Sequence, residues 1–246
     1  MLVREAAGAL ASFSYEPHGL VTACRRMISR HPVSGPLVWL SARVLSASEP
    51  IEELYLCMDA LDDDTTAVEL RHALPDGASV AVLGWPDIVS DALVRRGDVV
   101  PYVVDVLGEG SGLVQRLWNN DVDAVDVPVA GLGAAVADVE LVVLESVAIG
   151  DTSAVAVSGS HAAAAVAHHL DIPVWLVGGV GRRLPGRLFD SLVARGMPDE
   201  PWDRDEEVIP LDLVTHIVGP SGVVSTAEAL QDVDCPVAGE LLREAI

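Results

Sequence analysis

The chain contains no lysine: its 246 residues include 15 basic residues, all of them arginine, against 37 aspartates and glutamates. Without lysine there is no Schiff-base nucleophile and no Walker-type clamp for nucleotide phosphates, so both mechanisms are excluded. The formal net charge of −22 also argues against a broad nucleic-acid surface, because such surfaces draw most of their affinity from clustered positive charge. We therefore expect no direct nucleic-acid contact, while a local arginine site stays open.

The excess of acidic over basic residues predicts a protein that functions in concentrated salt. Salt screens the repulsion that a net charge of −22 causes in dilute buffer. The alternative explanation is a mesophile with a GC-rich genome, which accounts for arginine in place of lysine but less readily for so large a charge. We interpret the chain as a halophile's cytoplasmic protein.

Cysteines are few, and long apolar runs are missing. Cys24, Cys57 and Cys235 are odd in number and widely spaced, which predicts neither a disulfide framework nor a zinc site. The first residues carry no recognisable cleavage site, and no apolar run reaches membrane-spanning length. We expect a soluble, intracellular protein with no membrane contact, no metal and no cofactor.

The first 75 residues carry the apolar periodicity of helices. Pro32, Gly35 and Pro50 interrupt the pattern at points where one helix would end and the next begin. The predicted helices span residues 4–14, 20–30, 36–46, 51–61 and 67–73. Residues 1–75 are therefore interpreted as a small helical N-terminal region.

From residue 76 onward, short β-rich segments alternate with helical ones. The predicted strands are 79–83, 99–106, 124–127, 141–144, 172–177 and 213–218, and the predicted helices are 87–96, 112–119, 131–137, 161–169 and 187–195. This alternation, with strands that are apolar on both faces, is typical of a doubly wound, mostly parallel sheet covered by helices. The sequence thus predicts the α/β class, with residues 76–246 forming a Rossmann-like domain.

Ligands of such sheets bind beyond the carboxyl ends of the strands, so the loops that follow the strands form the candidate site. These loops are 84–86, 107–112, 128, 145–160 and 178–183. The acidic stretch 199–207, which contains Trp202, is predicted to be a solvated loop or a partner contact.

Two of these loops have features of an anion site. Ser160 follows Gly159 at the start of an Ala-rich helix, where it either caps the helix or helps to hold an anion. Arg182 and Arg183 follow a glycine-rich turn, and paired guanidinium groups can hold a phosphate or a carboxylate; a flexible loop with surface arginines is the alternative. We predict Ser160, Arg182 and Arg183 as ligand-binding residues.

Two further motifs receive structural interpretations. The glycine-rich stretch 108–112 has neither dinucleotide nor Walker spacing, and Glu109 would repel a phosphate, so we predict a turn. His168 and His169 lie at the end of the Ala-rich helix, where capping explains them better than metal binding.

The order of the central segments resembles one known family, which joins the regulatory α, β and δ subunits of translation initiation factor 2B with methylthioribose-1-phosphate isomerase and archaeal ribose-1,5-bisphosphate isomerase. In that family a Gly-Ala-Asp strand precedes an Asn-Lys-x-Gly-Thr turn, an Ala-rich helix and a Pro-Val-Tyr-Val strand. The corresponding segments here are 144–146, 156–160, 162–167 and 173–176, and 209–218 is similar to a later segment. Asp126 falls where the family carries Asp-Ser-Ala. The resemblance covers residues 75–240 and implies a Rossmann-like fold that dimerises through this domain.

The residues that the isomerases of this family use are largely replaced. Their cysteine after the first strand corresponds to the loop 84–86, which has none, and their acid/base aspartate falls on Ser146, one place after Glu145. Their Asn-Lys pair becomes Ala156 and Val157. Aldose-ketose isomerisation needs groups that move a proton and cations that hold phosphate, so these replacements predict that the activity is lost.

Three hypotheses follow from the resemblance. The first is a non-catalytic, initiation-factor-2B-like regulatory or binding protein that forms a homodimer or higher homo-oligomer and binds a protein partner. The second is a divergent sugar-phosphate isomerase of the ribose-1,5-bisphosphate type, in which Glu145 and Asp126 act with the Arg182–Arg183 loop. The third is a sensor that binds a nucleotide or phosphosugar without converting it. The replacements favour the first, so we lean against an enzyme.

Overall fold

The computed structural model describes residues 2–13, 15–197, 200–231 and 233–242. Its helices are α1 (Leu2–Ala11), α2 (Pro17–Arg30), α3 (Gly35–Ser46), α4 (Pro50–Asp62), α5 (Thr66–Ala73), α6 (Asp87–Leu93), α7 (Gly110–Trp118), α8 (Leu132–Ala137), α9 (Ser160–His169), α10 (Gly186–Gly196) and α11 (Thr226–Ala229). Its strands are β1 (Ser79–Leu83), β2 (Val100–Asp105), β3 (Val125–Pro128), β4 (Leu141–Ile149), β5 (Ser153–Val157), β6 (Val174–Val177), β7 (Glu206–Pro210), β8 (His216–Gly219) and β9 (Gly222–Ser225). No helix of these described residues is both long and apolar enough to cross a membrane.

A parallel sheet forms the centre of the molecule. Its strand order is β3-β2-β1-β4-β6-β8-β9, and the paired strands run parallel except for β9, which returns antiparallel to β8. The segment 141–144 of β4 is buried along its whole length because helices cover both faces of the sheet. The order grows in one direction from β1 and in the other from β4, which places the topological switch point between these two strands. The predicted fold class is confirmed.

A second, antiparallel sheet branches from β4. Beyond Glu145 the strand continues to Ile149, where it pairs with β5, and β5 in turn pairs with β7. The prediction of a loop over 145–160 was therefore wrong for residues 145–149 and 153–157, which are strands. The loop prediction was also wrong for Glu206 and Glu207, which begin β7. Asp199, at the start of that acidic stretch, lies outside the described residues. Strand β5 pairs with residues that follow it by about 50 positions, so the neighbouring sequence does not indicate its pairing partner.

The helix predictions for the N-terminal region are confirmed to within about three residues at each end, apart from Ser14, which lies outside the described residues. Helices α1–α4 share a core with β4, β5 and α10 that contains Leu10, Cys24, Trp39, Ala148 and Leu188. Helix α5 packs instead against the sheet, in a core that it shares with β1 and α6. A domain boundary at residue 75 stays a prediction.

The Ala-rich helix α9 lies close against the sheet. Its Ala163, Ala164 and Ala167 are fully buried, and their small side chains allow the helix backbone to approach the strands. Gly159, immediately before the helix, has a φ of 96°, which favours glycine because a Cβ is strained there. The turn and helix predicted from residue 158 onward are therefore confirmed.

Candidate functional site

A cleft of about 260 Å³ opens at the switch point, beyond the carboxyl ends of β1 and β4. The loop 84–86 lines it with Trp85 and Pro86, and the antiparallel β5–β7 arm lines it with Val157 and Glu206. The lining residues are Leu83, Trp85, Pro86, Asp87, Leu107, Glu109, Leu144, Glu145, Val147, Val157, Arg182, Asp205 and Glu206. Loops that were predicted to follow the strands supply most of this lining, whereas Asp205 and Glu206 were missed because β7 was not recognised.

Glu145 is the last residue of β4 that pairs within the parallel sheet, and both oxygens of its carboxylate accept hydrogen bonds. Oε2 accepts hydrogen bonds from the amides of Ile88 and Val89, at 2.8 and 3.1 Å, in the first turn of α6. Oε1 accepts a bond from Nη1 of Arg182 at 2.8 Å, forming an ion pair whose side chains are 10% and 17% exposed. The carboxylate therefore joins β4, α6 and the loop after β6.

Ser146, where the resemblance places an acid/base aspartate, is buried and has a structural partner. Its hydroxyl donates to the carbonyl of Val177 on β6 at 3.0 Å. Its own carbonyl accepts a bond from Arg182. Ser146 therefore links two strands and supplies no titratable group to the cleft.

Amides at the starts of two further helices near this edge of the sheet also bind carboxylates of the chain. The amide of Gly110, at the start of α7, donates to Oδ1 of Asp105 at 2.9 Å. The amide of His161, at the start of α9, donates to Oε1 of Glu207 at 2.8 Å. Such amides are ready-made anion sites. At α6, α7 and α9 the anion is a side chain of the protein itself.

The glycine-rich loop after β6 is held in the same way. Oδ2 of Asp64 accepts a hydrogen bond from the amide of Val180 at 2.9 Å, while Oδ1 accepts bonds from the amide and hydroxyl of Thr66 at 2.9 and 2.5 Å. One aspartate thus joins the start of α5 to the 178–183 loop. The contact with Val180 comes from the fold, because the two residues are 116 positions apart in the sequence.

The side chains of Arg182 and Arg183 separate. Arg182 lines the cleft and binds Glu145, whereas Nη1 of Arg183 donates to the carbonyl of Ala229 at 2.7 Å. Arg183 lines another cavity, of about 120 Å³, together with Trp39, Gly179, Val180, Gly181, Pro220 and Asp234. The structure does not bring the two guanidinium groups to one ligand position.

The other predicted site residues lie away from the cleft lining. Ser160 is fully buried, and its hydroxyl has no hydrogen-bond partner among the described residues. Asp126 is exposed on the edge strand β3, and β2 and β1 lie between it and Glu145 on β4. At a spacing of about 4.8 Å per strand, the strands that carry these two acids are roughly 14 Å apart.

The cleft is acidic. Five carboxylates line it, those of Asp87, Glu109, Glu145, Asp205 and Glu206, against the single guanidinium of Arg182. Burial, with a further contribution from Asp205, raises the pKa of Glu206 above its ordinary value. The described residues contain no cluster of three or more His, Cys, Asp or Glu side chains that could hold a metal ion. The electrostatics of the cleft thus disfavour an anionic ligand.

Trp85 forms the aromatic edge of the cleft. A Cβ placed on Gly112 would lie 2.7 Å from Cζ3 of this indole, so the ring packs directly on the first turn of α7 and needs a glycine there. The side chain remains 39% exposed. Trp85 therefore borders the cleft without closing it.

No protein-family model matches the chain, and no curated protein matches it. Among solved structures, the translation initiation factor eIF-2B of Pyrococcus horikoshii OT3 has a TM-score of 0.74 and 14% identity, covering 94% of this chain and 92% of that one. The eIF2B beta of Chaetomium thermophilum has a TM-score of 0.70 and 16% identity, covering 92% and 82%. The tetrameric eIF2B-beta2-delta2 complex from C. thermophilum contains a chain with a TM-score of 0.75 and 19% identity, covering 92% and 84%. At such low identity these matches establish one point, that the chain is similar in fold to eIF2B proteins.

Proposed function

We propose that the chain is an initiation-factor-2B-like regulatory or binding protein without isomerase activity. The engagement of Glu145 carries this proposal. A general base must be free to accept a proton from its substrate, whereas this carboxylate already accepts bonds from two amides and one guanidinium. Its position, where the parallel part of β4 ends, is that of a structural cap.

The occupied helix starts support the same conclusion. An isomerase of this type holds phosphate groups, which need amide donors or cations at the site. Asp105, Glu145 and Glu207 take up such amides at α7, α6 and α9. A phosphate brought to these positions would meet a carboxylate in place of a free donor.

The charge of the cleft indicates which partners fit it. Acidic groups outnumber the one arginine, and the exposed face of Trp85 can stack on a cation. A protein partner that reaches into the cleft is therefore expected to present arginine or lysine side chains. A phosphosugar or nucleotide ligand is expected to bind weakly there.

The isomerase alternative is tested by incubation with ribose 1,5-bisphosphate and with methylthioribose 1-phosphate in molar KCl, following ketose formation by NMR. We expect no turnover and no thermal stabilisation by either compound. Turnover by the natural chain that Glu145→Gln abolishes would overturn the proposal. Circular dichroism establishes that this variant is folded, and Asp126→Asn, which alters an exposed side chain, tests the second acid of the alternative.

We also propose that the chain self-associates. The C. thermophilum complex with the same fold is named a tetramer, and this chain exposes Trp118, Val125 and Val129 around its edge strand β3. Nε1 of Trp118 donates to the carbonyl of Ala124 at 3.1 Å, which holds the indole beside this edge. Exposed apolar groups at an unpaired strand favour association, here with a second copy of the chain.

Light scattering coupled to size exclusion in molar KCl tests self-association. We expect a dimer or larger species, which Trp118→Arg shifts toward monomer. Trp202→Arg, at an indole that is 81% exposed in the loop before β7, is the matched control and should leave the mass unchanged. A monomeric natural chain at about 100 µM, near the upper range of weak association, would contradict the proposal.

A further inference from the structure

A further cavity, of about 500 Å³, shares no lining residue with the cleft and is lined by three arginines. Helix α2, helix α10 and the turn Gly239–Leu242 form its walls. We call it the arginine cavity; its lining residues are Arg25, Ile28, Ser29, Arg187, Asp190, Ser191, Ala194, Arg195, Leu241 and Leu242. Residues 187, 191 and 195 recur at helical spacing, so one face of α10 provides most of the polar groups.

The arginine cavity concentrates positive charge in a chain with a net charge of −22. It holds three guanidinium groups against one carboxylate, that of Asp190. The ion pairs of the described residues use Arg4, Arg43, Arg96, Arg116 and Arg182. None of the three cavity arginines forms an ion pair with a described carboxylate.

Arg195 has unmet hydrogen-bonding capacity. Its Nη1 donates to the hydroxyl of Ser191 and to the carbonyl of Leu241, the latter at 3.2 Å. Its Nε and Nη2 are buried and have no partner among the described residues. Burial lowers the pKa of this guanidinium. Since Nε and Nη2 form the edge that holds a carboxylate or phosphate bidentately, a turn of the side chain into the cavity would offer both donors to an anion.

The other two arginines of the cavity can also donate hydrogen bonds to an anion. Nε and Nη2 of Arg25 donate to the carbonyl of Glu240, at 2.9 and 2.8 Å, which fixes the guanidinium and leaves Nη1 available. Arg187 is exposed and has no partner among the described residues. The hydroxyl of Ser29 adds a polar group, while Ile28, Leu241 and Leu242 give the cavity an apolar wall.

We propose that the arginine cavity binds a small organic phosphate, with its phosphoryl group held by Arg25, Arg187 and Arg195 and its apolar part against Ile28, Leu241 and Leu242. Three guanidinium groups suit a dianion, and a bidentate edge gives it a defined orientation. The ligand would join α2 to α10 and so stabilise the packing of the N-terminal helices. This site is independent of the acidic cleft and of the function proposed above.

Calorimetric titration with phenyl phosphate, and separately with inorganic phosphate, tests the proposal in a constant KCl background. Phenyl phosphate is expected to bind more tightly, because it adds an apolar group. Arg187→Gln and Arg195→Met should each weaken binding about tenfold or more, as the loss of a charge-assisted contact does. The matched control is Arg26→Gln, which removes an exposed charge from α2 outside the cavity and should leave the affinity unchanged.

Arg195→Met has a second readout. Because it replaces a buried guanidinium that has unmet donors, its stability without ligand should equal or exceed that of the natural chain. A merely structural Arg195 would instead lower stability on substitution. Should the Met variant fail to fold, Arg187→Gln alone carries the binding test, since its side chain is exposed.

Three outcomes overturn the proposal. The first is no binding of either phosphate at about 10 mM, a concentration that detects even weak sites. The second is an equal loss of affinity in Arg26→Gln and Arg187→Gln, which would indicate diffuse attraction. The third is phosphate binding that is absent in the natural chain and appears in Glu244→Gln. Glu244 follows Leu242 by two positions, so this outcome would indicate that the cavity is a site for the chain's own carboxylate.

Discussion

At the scale of single residues, the position of Glu145 decides what its carboxylate can do. It lies where the parallel sheet ends and the antiparallel arm begins, and it accepts bonds from Ile88, Val89 and Arg182. The resemblance to an isomerase family places an acid near this point. In the structure, the acid at this point joins β4 to α6 and to the loop after β6 through donors of the protein itself.

Removal of Glu145 should destabilise the fold strongly. Glu145→Ala leaves Arg182 buried without its counter-ion and exposes two amide donors to an empty space, so we expect a loss of about 3–5 kcal/mol. Urea unfolding in molar KCl measures this loss as a change in the free energy of unfolding. Glu109→Gln is the matched control: it neutralises an exposed acid of the same cleft and should change stability by less than about 0.5 kcal/mol. Similar losses in the two variants would contradict the assignment.

The three cysteines are expected to be inert in the folded protein. All are buried, and burial raises the pKa of Cys24 to about 11 and those of Cys57 and Cys235 to about 12. Because the thiolate is the nucleophile, iodoacetamide at pH 8 should label none of them natively and all three in guanidinium. Labelling of one thiol at the rate of a free cysteine would contradict this.

The same thiols should affect stability in alkaline solution. Their pKa values are higher in the folded chain than the ordinary value near 9, so their stabilising effect is complete below that pH. It is lost as the pH rises from about 9 toward 11–12, where unfolding permits ionisation. A Cys57→Ala, Cys235→Ala double variant should show a weaker decline of the unfolding midpoint across this range.

At the scale of elements, local chemistry accounts for most of the helices. Prolines occupy the first turns of α2, α3 and α4, where their missing amide costs nothing, and the apolar spacing of these segments predicted their positions. Strands β5, β7 and β9 have four or five residues each and pair antiparallel. Strands β7 and β9 are also only partly buried, so they lack the continuous apolar run that marks central parallel strands of similar length, such as β1 and β6.

Two glycines, one immediately before α9 and one within the neighbouring helix α8, should respond in opposite ways to alanine. Gly159 precedes α9 with a φ of 96°, and an added Cβ would lie 3.1 Å from the side chain of Val106. Gly133 in α8 has open space around it. We expect Gly159→Ala to cost about 1–2 kcal/mol and Gly133→Ala to add about 0.5 kcal/mol of stability. Urea unfolding of both variants measures this, and equal signs would contradict the backbone argument.

At the scale of the whole molecule, charge is the dominant property. A net charge of −22 repels itself in dilute buffer, and the described arginines neutralise only part of it through ion pairs. Acidic groups also line the cleft, whereas the arginine cavity concentrates the opposite sign. Partners of the two regions are therefore expected to differ in charge.

Salt should stabilise the protein. Between dilute buffer and molar KCl we expect the melting temperature to rise by about 5–10 °C, which corresponds to about 2–3 kcal/mol of relieved repulsion in a chain of this size. Scanning calorimetry over a KCl series measures the shift. A matched series at pH 4, where many carboxylates are protonated, should show a smaller rise. An unchanged melting temperature at neutral pH would contradict the interpretation of the chain as a halophile's protein.

The sequence by itself determined the α/β class, the helices and the parallel strands, because these depend on apolar spacing and on residues adjacent in the chain. Only the tertiary structure decided the chemistry of the site. Glu145 lies 57 residues from Ile88, whose amide it binds, and Glu207 lies 46 residues from His161, whose amide it binds. Arg25 and Arg195 are likewise brought together from distant helices. Whether a carboxylate or an arginine is free to bind a ligand depends on such partners, and no local pattern records them.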